Sequence, residues 1–327
     1  MTPYLVTGGA GFIGSHVVEA LLEAGHQVRV LDNFTSGSQN NLPEHPNLEV
    51  ISGDIRNWKI VNKAVENVVG VIHTSGQTSM TSSIENPRVS TEINILGFTN
   101  LLDALRSTSF TGKLIYTSCF NMYGNNSEDK ALKEEDVKDE HVTPYAFEKW
   151  MMEKQAGLYN RSYGLQSLGL RLFSVYGERQ QSHHVIPSFI QKIQNVESIE
   201  IHGDGEQTRD FIYVKDVVEV VMQALSSSVN GVLNVGNGKR ITINMLIQTL
   251  AELCNTKITP VKLAAQPGGM EHAYADIRRL RKVFDKLPRT PLKEGLANCL
   301  GDTFMEAVED SKIEENVENT EKQAIAV

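Results

Sequence analysis

The chain has 327 residues, room for two domains at roughly 150 residues each and for a substantial core, which excludes collagen, a peptide toxin and a free-standing small module. Apolar residues make up 40%, charged residues 22%, and the formal net charge is −9, an ordinary globular balance that gives a nucleic-acid partner no support. More than half of that excess lies from Met305 to Val327, where seven acidic residues face two lysines.

Short apolar runs alternate with longer amphipathic stretches. Tyr4 to Thr7 reads as a first strand. Thr7-Gly8-Gly9-Ala10-Gly11-Phe12-Ile13-Gly14 follows it and opens a helix from Phe12 to Ala24, with Phe12, Ile13, His16, Val17, Ala20 and Leu21 on one face. That context makes the glycine pattern a dinucleotide fingerprint. Gly8 permits the tight turn, Gly11 lets backbone approach a pyrophosphate, and Gly14 lets helix meet sheet, with the helix N-terminus facing the anion. Gln27 to Asp32 reads as the second strand, and Asp32 closes it 18 residues after Gly14. An acid there, with Asn33 beside it, accepts from both ribose hydroxyls and repels a 2′-phosphate, so NAD is expected rather than NADP. Leu48 to Ile51 reads as the third strand; Gly53-Asp54-Ile55 after it would flank the adenine, a plain turn being the alternative.

Gly70 to His73 reads as a fourth strand, running into His73-Thr74-Ser75-Gly76-Gln77, whose hydroxyls have no evident purpose in the sequence. Thr91 to Arg106 reads as a helix with Ile93, Ile95, Leu101, Leu102 and Leu105 on one face. Lys113 to Thr117 and Gln166 to Leu172 read as further strands. Between these two strands, Thr143-Pro144-Tyr145-Ala146-Phe147-Glu148-Lys149 carries a helix start, with Thr143 as N-cap and Pro144 at the first helical position. Tyr145 and Lys149 then share a face. Such a pair alone is an ordinary solvated helix surface. After a dinucleotide fingerprint it reads as a catalytic pair, because an ammonium and an oxidised nicotinamide both favour the phenolate and lower a pKa of about 10 toward that of a base usable at neutral pH.

Repeated strand, helix, strand units with near-continuous apolar strands predict an α/β protein, a doubly wound parallel sheet of the Rossmann type over residues 1–175. Beyond Tyr176, short segments and the turns Gly203-Asp204-Gly205, Gly236-Asn237-Gly238 and Pro267-Gly268-Gly269 predict a smaller mixed α/β substrate domain over 176–310. Residues 311–327 are polar, acidic and aperiodic, as expected of a disordered tail. Arg278, Arg279, Arg281 and Lys282 read as a solvated helix face. His183 and His184 are adjacent, which does not suit a metal site, and none is expected. The three cysteines, Cys119, Cys254 and Cys299, have no zinc-like spacing. Their sparse, odd count fits a reducing compartment, and with neither an apolar leader nor a run of about 18 apolar residues the expectation is a cytoplasmic protein without membrane contact.

In this order the motifs resemble the extended short-chain dehydrogenase/reductase family, and within it the nucleotide-sugar 4-epimerases related to UDP-glucose 4-epimerase. The glycine loop, Asp32, Asp54, Asn94 to Asn100, Tyr123-Gly124, Tyr145 with Lys149, Arg171 to Gln180, Gly203 to Asp216 and Ala275-Asp276 fall in family order, from about Pro3 to Phe304. The resemblance implies a bound NAD+ that takes hydride from sugar C4 while Tyr145 removes the hydroxyl proton. The 4-keto intermediate then turns over and receives hydride on its other face. It further implies that Lys149 lowers the phenol's pKa and holds the nicotinamide ribose, and that Arg209, in Gln207-Thr208-Arg209-Asp210-Phe211, grips the pyrophosphate; an ion pair with Asp210 is the alternative. A homodimer through the helices 91–106 and 144–159 of each subunit is implied as well.

The chain departs from the family pattern at several positions. The family places Ser or Thr five residues before the Gly of its Tyr-Gly pair, and counting back from Gly124 gives Cys119. A thiol is a weaker donor than a hydroxyl. Three readings stay open: a slow but working Cys119, Ser118 taking over, or lost chemistry. Phe120 and Asn121 stand where the dehydratases and decarboxylases of the family keep acids, which disfavours both reactions. Ser174 replaces an Asn in the substrate half, and Gln266 and Gly269 replace an Arg and an Asp that hold the nucleotide, so UDP is favoured on reduced support. Ala273 stands where a large Tyr marks restriction to plain hexoses, which suggests that N-acetylhexosamines fit, ordinary packing being the alternative. The expected function is NAD-dependent C4 epimerisation of a UDP-hexose or UDP-N-acetylhexosamine. The alternatives are a dehydrogenase or reductase that releases its keto product, and a silent nucleotide-sugar or NAD binder.

Overall fold

Every strand expected up to Leu172 forms, its ends within two residues of those read from the sequence: β1 (Tyr4–Thr7), β2 (Val28–Asp32), β3 (Leu48–Ser52), β4 (Gly70–His73), β5 (Lys113–Cys119) and β6 (Ser167–Leu172). The computed structural model describes residues 2–126, 129–138, 141, 143–264, 270–287 and 290–301. Strands alternate with α1 (Phe12–Glu23), α2 (Trp58–Ala64), α3 (Met80–Glu85), α4 (Pro87–Thr91), α5 (Gly97–Ser107) and α6 (Pro144–Tyr163). Further on come β7 (Ser174–Tyr176), α7 (Val185–Gln194), β8 (Glu200–His202), β9 (Thr208–Arg209), β10 (Phe211–Tyr213), α8 (Val214–Leu225) and β11 (Gly231–Val235). The described chain ends with β12 (Ile241–Thr242), α9 (Ile243–Leu253), β13 (Val261–Leu263), β14 (His272–Ala273), α10 (Arg278–Val283) and α11 (Leu292–Leu300).

The main sheet has seven strands in the order β11-β6-β5-β4-β1-β2-β3, all paired in parallel. Side-chain alternation sorts its residues between two faces. Val6, Val30, Ile72 and Ile115 pack toward α1 and α8, whereas Leu5, Leu31, Val71, Leu114 and Tyr116 pack toward α2, α5 and α6. Burying each such side chain contributes roughly 1.5–3 kcal/mol. Helices on both faces of a parallel sheet make the doubly wound fold, and the order reverses between β1 and β4, where ligands bind beyond the strand C-termini. A third cluster, built from α7, α9, α11 and β10, forms the core of the later part.

Two expectations need correction. The division at residue 175 does not separate the sheet from the later residues, because β11 extends it beside β6 and α8 covers it. The seventh strand, Gly231–Val235, follows α8 and returns to the edge of the sheet beside β6. The helix expected from Thr91 begins instead at Pro87 and passes through a π turn, Glu92–Leu96, before α5. The wider turn carries Asn94 inward to a buried position while Ile93 and Ile95 are only partly covered. The turn at Gly203 to Gly205 has both glycines at positive φ. In the basic run, Arg278 pairs with Asp276 and Arg279 with Glu134 and Glu135. Pro267-Gly268-Gly269 and the tail 311–327 lie outside the described residues. Among the described residues no helix is long and apolar enough to cross a membrane, and no group of His, Cys, Asp and Glu could hold a metal.

Candidate active site

The glycine loop leaves β1 at the switch point and is held from β4. Gly8 has φ 73°, and a Cβ there would lie 2.6 Å from the Ser75 backbone nitrogen. A Cβ on Gly14 would sit 2.1 Å from the Gly8 carbonyl, so helix and loop meet at backbone distance. Thr74 donates its hydroxyl to the carbonyls of Thr7 and Gly8 at 2.8 and 3.2 Å; the hydroxyl without evident purpose in the sequence anchors the loop. Gly11 caps α1 without a side-chain hydrogen bond, and the first-turn N–H groups are left for an anion. Phe12 and Ile13 are partly buried and pack on the core beneath. Asp32 is largely buried. Each of its oxygens takes one backbone N–H, Oδ2 from Ala10 at 2.9 Å and Oδ1 from Phe34 at 2.8 Å, and lone pairs remain for a ribose diol. This cradle fits a dinucleotide.

Residues 33 and 54 bond each other beside β2 and β3, and residue 55 turns inward. Asn33 donates to Asp54 Oδ2 at 3.0 Å, and Arg56 binds the same carboxylate through Nε and Nη2. The guanidinium holds the Asp54 carboxyl well below the usual carboxylate range. The Ile55 side chain is buried against α5, where a Cβ on Gly97 would meet it at 2.5 Å.

Cys119, Tyr145 and Lys149 gather where β5 ends beside α6. Thr143 accepts from Ala146 N at 3.2 Å and Pro144 occupies the first turn, as expected. The Tyr145 N–H, one of the helix's free donors, goes to Ser83 Oγ at 3.2 Å. The Tyr145 hydroxyl and the Cys119 sulfur lie close enough to influence each other's ionisation. Lys149 donates to the Thr117 carbonyl at 3.0 Å and sits 6.0 Å from the Tyr145 ring centroid. All three side chains are buried. Burial pushes the Tyr145 phenol well above its usual pKa, with the Cys119 sulfur and the Glu148 carboxylate adding to the rise. Burial also lowers Lys149 and raises the Cys119 thiol, so Cys119 remains a neutral S–H at neutral pH. The lowering expected from the sequence joins an ammonium to an oxidised nicotinamide; the chain's own groups act on the phenol in the opposite direction. Lys149 is directed at a carbonyl rather than at the phenol oxygen, and the chain's own groups keep Tyr145 protonated. His73 on β4 is buried beside them with Nδ1 2.7 Å from Thr7 Oγ1; burial and the Lys149 charge push its pKa to about 3.

Ser118 does not join this group. Its hydroxyl donates to Glu153 Oε1 at 2.7 Å, about two turns along α6 from Tyr145. Glu153 also takes Nε and Nη2 of Arg171, each at 2.7 Å. Arg171 continues to the Tyr123 hydroxyl and the Glu134 carbonyl. Phe120 stacks on Phe173 and Asn121 donates to Met80 Sδ, leaving no carboxylate at either position.

In the substrate half, Arg209 donates to the carbonyls of Thr208 and Glu271 at 2.7 and 3.4 Å and has no acidic partner among the described residues. Its neighbour Asp210 is fully buried and accepts from the backbone N–H of Asn237, Gly238 and Ala275, which removes the Arg209–Asp210 ion pair as an alternative. Ala273 is the register partner of Arg209 on β14, and its methyl is wholly covered. Ser174 pairs with Phe211, and its N–H donates to the Asp210 carbonyl at 3.0 Å. Gln266 and Gly269 lie outside the described residues.

Sequence reasoning assigned no role to Glu148, Asn94, Gln77 or the Glu153–Arg171 pair. The legible signals were an acid inside a helix start and a second acid one turn beyond Lys149.

Residues 4–236 match the model of the NAD dependent epimerase/dehydratase family. A UDP-N-acetylglucosamine 4-epimerase from Methanobrevibacter ruminantium, solved with UDP-N-acetylmuramic acid, superposes with a TM-score of 0.87 at 35% identity, covering 91% of this chain and 97% of that one. The UDP-glucose 4-epimerase of Thermus thermophilus, solved with NAD, gives 0.83 at 32% identity over 92% and 98%. The UDP-glucuronate 4-epimerase of Thermodesulfobacterium geofontis is 32% identical over 90% of this chain and 93% of its own. The switch-point glycine cradle and the buried Tyr145–Lys149 pair thus sit on a chain that matches these enzymes almost end to end, and the protein belongs to the NAD dependent epimerase/dehydratase family.

Proposed function

We propose that the protein interconverts the C4 epimers of a UDP-hexose or UDP-N-acetylhexosamine and retains its cofactor through the cycle. The observation that carries this reading is the meeting of Cys119, Tyr145 and Lys149 beside the glycine cradle. NAD+, when bound, accepts the C4 hydride and returns it. Tyr145 takes the proton of the C4 hydroxyl and gives it back. Lys149, a buried cation next to that phenol, favours the phenolate and reaches the nicotinamide ribose. Cys119, a neutral thiol against the Tyr145 hydroxyl, donates to the C4 oxygen as charge develops there. Asp32 accepts from the adenosine ribose, and Arg209, with no carboxylate of its own, holds the pyrophosphate. In this reading Gly8, Gly11, Gly14, Phe12 and Ile13 form the pyrophosphate cradle. Residues from 176 on, apart from the sheet strand β11 and its covering helix α8, carry the nucleotide sugar.

An N-acetylated substrate is supported by the likeness to the M. ruminantium enzyme. A uronic acid is the second reading, favoured by the relative named a UDP-glucuronate 4-epimerase. Val89, Leu96, Phe147 and Leu158 are exposed on α4, the π turn and α6, which supports a homodimer through this face. A cytoplasmic location fits three free cysteines.

The test follows the anomeric proton signals of UDP-N-acetylglucosamine, UDP-glucose and UDP-glucuronate by NMR with the purified protein and no added reductant. A mixture of two epimers from at least one of the first two is expected; three unchanged spectra with NAD bound would overturn the reading, and turnover of UDP-glucuronate alone would select the second.

A further inference from the structure

A buried carboxylate lies directly behind the Tyr145–Lys149 pair and takes no part in the proton and hydride transfers. Glu148 is 2% exposed. It accepts three side-chain hydrogen bonds, from Ser90 Oγ at 2.7 Å, Thr91 Oγ1 at 2.9 Å and Asn94 Nδ2 at 2.7 Å. All three donors come from α4 and the π turn. Asn94 in turn clamps the backbone after β4, its Oδ1 accepting from Gln77 N at 2.9 Å and its Nδ2 donating to Gln77 O at 3.0 Å. A Cβ on Gly76 would lie 3.0 Å from Asn94 Oδ1 and 3.7 Å from Lys149 Nζ, so the clamped backbone forms the wall opposite the lysine. Single-turn π bulges concentrate at functional sites, and here the bulge is what turns Asn94 inward.

We propose that Glu148 is a positioning residue for the Tyr145–Lys149 pair: its carboxylate fastens the π turn to α6 and, through Asn94, fixes the Gly76–Gln77 backbone against Lys149. Three donors satisfy a carboxylate that burial would otherwise disfavour. Its charge then acts at short range on both members of the pair. The titratable groups around them are Glu148 and Glu153 on α6, Cys119 on β5 and His73 on β4. A negative charge there opposes the phenolate, and it holds Lys149 as an ammonium against the pull of burial.

The proposal rests on the epimerase reading, and the test separates the two. In Glu148→Gln, kcat falls on the order of 10- to 100-fold with KM little changed, and both limbs of the kcat–pH profile move to lower pH. Removing the negative charge eases ionisation of Tyr145 and deprotonation of Lys149 alike. Glu148→Asp keeps the charge but shortens the reach to Asn94; its limbs stay at the wild-type pH while kcat still falls. The Gln77 amide, whose hydrogen bond depends on Asn94, exchanges faster with solvent deuterium in either variant, and this readout needs no turnover. Faster exchange in an otherwise inactive protein would retain the positioning role while the epimerase reading fails. Wild-type kcat in either folded variant, unmoved limbs in Glu148→Gln, or unchanged Gln77 exchange would overturn the proposal.

Discussion

In the proposed cycle, Cys119 sets how fast the site works. It occupies a buried place against the Tyr145 hydroxyl, where a hydroxyl donor would be stronger than a thiol. Losing a donor aimed at developing charge costs about 10²-fold in kcat, and a thiol gives up part of that. Cys119→Ser is therefore expected to raise kcat about tenfold, on the scale of that effect, at nearly constant KM; steady-state kinetics on the two proteins checks it. A fall in kcat would show that the sulfur itself is needed. At this scale the sequence was most informative where local geometry alone sets a residue's task. Gly8, Gly14, Thr143 and Pro144 act as expected because turn and helix-start conformations depend on immediate neighbours. The hydrogen bonds of Ser118 and Asn33 were not legible because they go to residues 35 and 21 positions away, Glu153 and Asp54. The same distance in sequence hid the Asp210 contacts with Asn237, Gly238 and Ala275.

Among the elements, α6 carries most of the consequences. Its first turns hold Tyr145, Glu148 and Lys149, and Glu153 one turn later ties it to β5 through Ser118 and to β6 through Arg171. That ion pair is almost fully covered, with side-chain exposures of 5% and 6%. A buried pair is weak evidence for net stability, yet removing one partner strands the other charge at a cost of about 3–5 kcal/mol. Glu153→Gln should therefore lower the unfolding free energy by roughly that amount, measured by urea titration against wild type, whereas a change below about 1 kcal/mol would mean that Arg171 finds another partner. The elements themselves were largely legible, since period-two and helical patterns report burial directly. The π turn at Glu92–Leu96 was not. A one-residue widening leaves the apolar count of the helix unchanged and is selected by Asn94 reaching Gln77 and Glu148, contacts made only in the folded chain.

The whole molecule places these parts in one frame. The reversal of strand order between β1 and β4 opens the crevice in which the cradle lies, and β5 with α6 brings Cys119, Tyr145 and Lys149 together. The continuation of the sheet into β11 means that the later residues are built onto the same platform. That arrangement suits a reaction in which hydride leaves and returns to one carbon within one site. The measurement that tests this most directly uses UDP-N-acetylglucosamine carrying deuterium at C4, incubated with the purified protein and no free reductant. The account predicts a C4 epimer that keeps its deuterium, with no build-up of reduced nicotinamide. Loss of the deuterium to solvent, or reduced nicotinamide accumulating in proportion to a released keto sugar, would contradict it.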